Sequence, residues 1–590
     1  MKLKQSLRQN VLPYLRAIPD ICGFQIINGL LLYLMMLVFK QIAMVLIRST
    51  GRVAISTGDF WFLFTTWQGP LLLIIGMAIL FLYVAFDLNT QIIYSSTILK
   101  GQADLKGSIR KGLISIREFF TPDGIGIVLY IALIAPIVGT GFTISLTDSL
   151  YLPSFIASVI ETTPLYSVLY YIFVWIFIFL GIIHIFILHG ILLGGLKSNK
   201  ADDQSRQIMK QHWKNYLLEN LRLLLIGLLL IVFDLLLTGL LPSMLFLFFG
   251  NIEHYKTAVY FILMLVCINI VILTSFFQSF YMIHMTRLYY RYTGKDDSFA
   301  LSQRKISPIL SLLFTAALFA VLYFASWILS NRFDQIFSTQ ITTKIIAHRA
   351  GGIEAPENTL AGLEEAIRLG AAGAEIDIQR TKDGHYIINH DASFARLCSN
   401  KARPEELTLE EVKALTIQDP LFPDRKEEVA TFEEMLESAK GRIVLFVELK
   451  GNTADQKMAD DAVRMIKEKG MEDQCVLISL KYSLIDYIER NYPEMQTAYL
   501  TFASFGKTAE FNCDYLGLEE EAVSGSIIDA LHESKRGVLV WTPNTEAAQR
   551  KFLISDVDYI ITDNVKQAIG LIETLDQRED FEVIIDWIFN

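Results

Sequence analysis

Seven residues with reactive side chains stand at or just past the ends of short apolar runs in the second half of the chain. His348 and Arg349 close KIIAH (344–348), Glu375 and Asp377 close AEIDI (374–378), His390 closes YIINH (386–390), and Glu448 and Lys450 close IVLFVEL (443–449). Residues two apart on a strand share a face, so Glu375 points with Asp377, and Glu448 with Lys450. Three carboxylates converging on one mouth make an oxygen-ligand site for Mg²⁺ or Ca²⁺. Two histidines flanking that mouth suit general acid and base work near neutral pH. Alone, either histidine reads as a satisfied core residue; together in this frame they point to catalysis.

Positioning such residues requires a sheet whose strand ends gather at one place. Further runs follow at CVLISL (475–480), QTAYL (496–500), CDYLGL (513–518), GVLVW (537–541) and YIITD (559–563). Together these give eight strands plus the YIINH segment, with helical patterns such as ENTLAGLEEAIRLG and ADDAVRMIKEKG in several gaps. Apolar strands alternating with helices predict a parallel sheet buried on both faces. A (β/α)₈ TIM barrel is the natural closure, and a doubly wound sheet shares the pattern. In a barrel the C-terminal strand ends form the active-site mouth, which is where all seven residues are expected.

The stretch IIAHRAGGIEAPENTLAGLEEAIRLGAAGAEIDIQRTKDGHYIINHD closely resembles the glycerophosphodiester phosphodiesterases. Their order of His-Arg, Glu-Asn, Glu-x-Asp and His-Asp appears as His348-Arg349, Glu357-Asn358, Glu375-Ile376-Asp377 and His390-Asp391, and the likeness runs on through Glu448-Leu449-Lys450, Trp541-Thr542 and Ile561-Thr562-Asp563. The resemblance implies a TIM-barrel hydrolase that cleaves a glycerophosphodiester to glycerol 3-phosphate and an alcohol. It implies Glu375, Asp377 and Glu448 as ligands of a divalent metal, His348 and His390 as the acid/base pair, and Arg349 and Lys450 as phosphate holders. Glu357 is expected to orient Arg349 or contact the metal, against a reading, shared by Asn358, as the start of a helix after Pro356. Trp541 is expected against the substrate. Two departures, Thr542-Pro543-Asn544 and Val429-Ala430-Thr431-Phe432-Glu433, bear on substrate shape, and Lys401 to Arg425 carries no evident site residue.

Composition separates this half from the rest. The chain of 590 residues is 52% hydrophobic and only 19% charged, which excludes an all-soluble protein. Residues 1–330 hold 24 Lys+Arg against 15 Asp+Glu, and the remainder 28 against 47, so a basic apolar half precedes an acidic one. The acidic balance argues against nucleic acid as a partner. The five cysteines show no framework or metal-finger spacing and read as buried filler.

Seven segments of the first half are long enough to span a bilayer: 24–47, 61–86, 124–146, 165–195, 221–249, 258–285 and 307–329. Lys and Arg cluster before the first and after the second, fourth and sixth, and are sparse in the loops between. That alternation predicts a multi-pass cell-membrane protein with a cytoplasmic N-terminus and an extracellular catalytic domain. The segment 151–166 is expected at the outer interface. Lys40, His184, His189 and Asp234 lie inside spans, and only Asp234 lacks an evident excuse. The expected organisation is a transmembrane domain (1–330), a linker (331–342), a barrel (343–575) and a tail (576–590). Such an arrangement resembles the membrane domain carried by some bacterial, mainly Gram-positive, members of the family. The implied substrates are deacylated or lyso-phospholipids, or glycerophosphate polymers such as lipoteichoic acid. The competing expectation is a lipid or glycerophosphodiester transporter or flippase with an accessory barrel.

Overall fold

The computed structural model describes residues 12–50, 52, 54–56, 62–120, 163–240, 244, 255–295, 308–332, 341–502, 504–506, 508–578 and 582–583. Its strands in chain order are β1 (Ala54–Ser56), β2 (Lys344–Ala347), β3 (Gly373–Arg380), β4 (Tyr386–Ile388), β5 (Thr416–Ile417), β6 (Glu427–Glu428), β7 (Val444–Leu449), β8 (Cys475–Ser479), β9 (Gln496–Thr501), β10 (Ser504–Gly506), β11 (Tyr515–Glu519), β12 (Gly537–Trp541) and β13 (Tyr559–Thr562). Two compact units result, one of helices from the first half and one holding the barrel together with residues 42–72.

Eight strands, in the order β2-β3-β7-β8-β9-β11-β12-β13 and back to β2, pair in parallel and close the barrel. Closure explains the continuous apolar runs, because each strand is covered on both faces. Ile346, Phe446, Val476, Ile478, Ala498, Leu500, Leu539 and Ile561 fill the interior. The alternate residues, among them Ile345, Leu445, Val447 and Leu477, pack outward against helix residues such as Leu363, Met435 and Leu436. The helix Leu360–Leu369 begins at Thr359, whose Oγ1 accepts from Gly362 N at 3.0 Å. Thr431, Asp455 and Thr545 cap three further helices in the same way, which is the local reason those four helices start where they do.

The YIINH segment corrects one expectation. β3 runs past the barrel rim, and after the turn at Asp383-Gly384 the chain returns as β4, antiparallel to β3, with Ile388 opposite Ile378. His390 thus reaches the mouth on a descending hairpin arm and not at the end of a parallel strand. β1 pairs antiparallel with β10, in the loop after β9, and Ala54 is buried in the barrel's outer apolar layer.

In the first unit, four helices are long and apolar enough to cross a membrane: Ile21–Arg48, Gln68–Leu99, Pro164–Leu192 and Ser198–Asp234. The helices Tyr255–Tyr292 and Pro308–Asn331 lie where the sixth and seventh spans are expected, but their described apolar stretches, Thr257–Asn269 and Ala316–Asn331, are shorter than a span, so the described residues give four spans and not the expected seven. The third expected span, 124–146, and most of the interfacial segment 151–166 lie outside the described residues. Pro164–Ile183 buries no residue against protein and is apolar on all faces, as a helix solvated by lipid must be.

A polar cluster absent from the sequence expectations joins the first two of these helices. Asp87, 2% exposed, accepts at Oδ1 from Asn28 Nδ2 at 2.9 Å and Gln91 Nε2 at 2.7 Å, and Asn28 Nδ2 also reaches Tyr83 OH at 3.1 Å. His184 pairs with Asp202 at 2.6 Å, and His189 meets Thr286 Oγ1 at 3.3 Å.

Candidate active site

The barrel mouth is built from alternate residues that continue the interior face upward. On β3, Glu375 and Asp377 follow the inward phase, and on β7 Glu448 follows Phe446. Their oxygens lie within 4.8 Å of one another and all three residues are buried. Lys450 Nζ sits 2.9 Å from both Asp377 Oδ1 and Glu448 Oε2. One ammonium against three buried carboxylates leaves excess negative charge. Burial, then Asp377, push the Glu375 carboxyl up to about 8, and Glu448 is raised by burial and Asp377 despite Lys450. Asp377 is held below the ordinary range: burial opposes this, and Lys450, His390 and Arg349 prevail. Hard oxygen donors with a charge deficit fit a divalent cation such as Mg²⁺ or Ca²⁺.

Both histidines are oriented by aspartates. His348 follows β2, its N–H bonded to Thr562 O at 3.0 Å, and its Nδ1 lies 2.6 Å from Asp563 Oδ1. Burial works against its charge, but Asp563 and Glu375 outweigh it and hold the imidazole pKa above the ordinary value. The same pairing pulls Asp563 down to about 2 against the effect of burial. His390 Nδ1 lies 2.9 Å from Asp391 Oδ1, while Nε2 faces Arg349 Nη2 at 3.0 Å. A guanidinium only donates, so Nε2 is the acceptor and the proton resides on Nδ1. Each imidazole is thereby tied through Nδ1 to its own aspartate, with His390 Nε2 turned to Arg349.

Arg349 is fixed by the backbone as well as by charge. It adopts φ 48°, with Ala350 at 60° and Asn358 at 55°, a left-handed cluster uncommon for side chains with a Cβ. Its N–H donates to Glu375 Oε2 at 2.7 Å, and its guanidinium to both oxygens of Glu357 at 3.2 Å. Arg396 also grips Glu357 and bonds Asp391 at 2.8 Å. Thr359 is the helix cap, so Glu357 and Asn358 precede the helix and serve the site. Asn358 Nδ2 donates to Asp377 Oδ2 at 2.8 Å, and its Oδ1 accepts from Asp377 N at 3.3 Å. Glu357 holds Arg349 and is not among the three clustered carboxylates. Trp541 is half-buried against the interior layer at the end of β12.

Asp563, Asp391, Arg396, Asp419 and Glu519 had no role assigned from sequence. Asp563 continues the inward phase of Tyr559 and Ile561, a signal that was readable. Asp419 accepts from Glu357 N at 3.1 Å, from within the 401–425 run where no site residue was evident. His385 is exposed, and His532 pairs with Asp558 at 3.1 Å, away from the mouth.

A closed parallel barrel whose mouth holds three clustered carboxylates, two aspartate-paired histidines and a fixed arginine is the frame of a phosphoric ester hydrolase. Residues 348–567 match the glycerophosphoryl diester phosphodiesterase family, and residues 16–327, more than half the chain, match the membrane domain of glycerophosphoryl diester phosphodiesterase. The chain is 28% identical over 248 residues to a glycerophosphodiester phosphodiesterase of Caldanaerobacter subterraneus subsp. tengcongensis, covering 39% of this chain and 98% of the relative. Another from Bacillus altitudinis is 26% identical over 243 residues, covering 40% and 99%. Among solved structures, a phosphodiesterase of Oleispira antarctica in complex with the product sn-glycerol-3-phosphate is similar at 23% identity and a TM-score of 0.37, covering 40% of this chain and 97% of that one. The chain belongs to the glycerophosphodiester phosphodiesterase family, as a member with an N-terminal membrane domain, and is a phosphoric diester hydrolase.

Proposed function

We propose that the protein hydrolyses glycerophosphodiesters to glycerol 3-phosphate and an alcohol, with a divalent cation, Mg²⁺ or Ca²⁺, held by Glu375, Asp377 and Glu448. The observation that carries this reading is the buried carboxylate cluster at one barrel mouth with Arg349 and two histidines each paired through Nδ1 with an aspartate. When bound, the cation neutralises charge on the non-bridging phosphate oxygens. Arg349 and Lys450 bind those oxygens alongside it, and Trp541 packs on the substrate. His390 Nε2, a free lone pair once Arg349 turns to phosphate, takes the proton from the attacking oxygen, whether of water or of the substrate's own glycerol hydroxyl. His348, its pKa raised by Asp563 and Glu375, gives its proton to the leaving alcohol oxygen as the P–O bond breaks. Asp391 and Asp563 keep each imidazole in the tautomer its task needs.

The proposed organisation is a membrane domain over 1–330, a linker over 331–342, the barrel over 343–575 and a tail over 576–590. We place the N-terminus in the cytoplasm and the barrel outside the cell. The alternating Lys and Arg of the loops support this. Outward placement suits deacylated or lyso-phospholipids at the outer leaflet, or glycerophosphate polymers such as lipoteichoic acid. The test is release of glycerol 3-phosphate from such substrates by purified protein, with and without chelator, beside His348→Ala and Glu375→Ala. Chelator-sensitive release lost in both variants is expected. No release by folded, cation-loaded protein would overturn the reading.

A second reading, lipid or glycerophosphodiester transport by the membrane domain, draws on Asp87, since a buried carboxylate between apolar helices is costly unless it serves a purpose. It requires Asp87→Asn to abolish function in cells while leaving hydrolysis intact.

A further inference from the structure

The helix Gln68–Leu99 changes character along its length. Its first half exposes apolar side chains such as Ile74 and Met77, while its second half buries Asp87, Asn89, Thr90, Gln91, Ser95 and Ser96. A carboxylate buried in a membrane domain is costly unless a positive charge meets it. Asp202 and Glu219 of the same unit each meet an arginine, Arg206 and Arg291. Asp87 meets only amides: among the described residues it bonds Asn28 Nδ2 at 2.9 Å and Gln91 Nε2 at 2.7 Å.

Those two amides carry a deficit of their own. A carboxylate only accepts, so each amide turns its NH₂ group to Asp87 and spends none of its carbonyl oxygen there. Asn28 Oδ1 and Gln91 Oε1 are buried and, among the described residues, have no donor, in side chains 5% and 3% exposed. Each oxygen shares an amide with the bonded nitrogen, which keeps it within about 5 Å of Asp87 Oδ1. Two buried acceptors thus stand unmet beside one unbalanced negative charge, and both conditions cost free energy.

A proton on Asp87 removes the charge but gives a single donor, so at least one amide oxygen stays unmet. Water can serve the oxygens but leaves the charge. A monovalent metal cation does both, since oxygen donors are the ligands of hard cations and one carboxylate balances one positive charge. A divalent cation would leave a positive excess in the same apolar surroundings.

We propose that Asp87, Asn28 and Gln91 bind a monovalent metal cation, Na⁺ or K⁺, between the helices Leu12–Arg48 and Gln68–Leu99. The site stands apart from the barrel mouth, and it depends on neither the hydrolase mechanism nor transport.

The test is equilibrium binding of radioactive Na⁺ to purified full-length protein in detergent, with saturating Mg²⁺ and with N-methylglucamine chloride holding ionic strength constant. Wild type should bind Na⁺ saturably, and excess unlabelled NaCl or KCl should displace it where N-methylglucamine does not. Asp87→Asn, similar in size but uncharged, should weaken binding by about 100-fold or more, and Gln91→Leu, which removes one oxygen, by about 10-fold. Glu375→Gln should bind Na⁺ as wild type does. Na⁺ should also raise the melting temperature of wild type and leave that of Asp87→Asn unmoved. Absence of saturable binding by folded wild type overturns the proposal, as does binding that is unchanged in Asp87→Asn or lost in Glu375→Gln. Should Asp87→Asn not fold, Gln91→Leu decides, and an affinity equal to wild type overturns the proposal. Protein that binds Na⁺ through Asp87 but releases no glycerol 3-phosphate would sink the hydrolase reading and leave the ion site standing.

Discussion

His348 Nδ1 lies 2.6 Å from Asp563 Oδ1, a contact between the first and the last strand ends of the barrel, 215 residues apart in sequence. Closure of the barrel makes the pair, because β2 and β13 are neighbours only when the sheet returns on itself. The consequence is a buried histidine whose pKa is held above its ordinary value, against the effect of burial.

Replacing Asp563 with Asn removes the carboxylate that raises the His348 pKa, so that pKa must fall. Activity that needs protonated His348 is lost as pH rises through its pKa. The alkaline limb of the kcat/KM profile should therefore move to lower pH, by about 1 to 2 units. An alkaline limb that stays in place or moves upward would remove His348 from the acid's role.

Glu375, Asp377 and Glu448 repel one another when no cation separates them. Glu375→Gln should thus melt no lower than wild type in the presence of chelator. Added Mg²⁺ or Ca²⁺ should raise the melting temperature of wild type and leave the variant nearly unmoved. Equal cation-induced shifts in both proteins would show that the cation binds elsewhere.

Gly352 has φ +55°, and a Cβ there would stand 2.2 Å from the carbonyl oxygen of Asp563. Gly352→Ala must displace the backbone that carries the partner of His348. A loss of about 2 to 4 kcal/mol in stability is expected, together with reduced kcat. Denaturation and activity measurements check it; a variant as stable as wild type would mean that this turn yields more freely than its contacts imply.

Lys440 is exposed on the barrel unit. With the catalytic domain outside, Lys440→Cys should react with a membrane-impermeant maleimide in intact cells beyond the labelling of the parent chain. Labelling that appears only after permeabilisation would put the barrel in the cytoplasm and make the number of spans even.

Much of the barrel and its site is legible in the sequence. Apolar runs with reactive residues at their ends set the strand count, and two-residue spacing put Glu375 with Asp377 on one face, as observed. The hairpin at β4 was not readable, since YIINH is as apolar as a barrel strand, and only the turn at Asp383-Gly384 and the extra length of β3 reverse it. Asp87 escaped notice because it stands just past the expected end of the second span, whereas the helix Gln68–Leu99 continues well beyond it.

The sequence by itself determined the two-part organisation, the alternation of strands and helices in the second part and the residue types at its strand ends, because hydrophobic period, run length and charge are local properties of a chain. It could not decide which aspartate orients which histidine, or that Arg349 faces His390 Nε2. Those relations join residues far apart in the chain, and their distances exist only once closure of the sheet fixes strand neighbours and register.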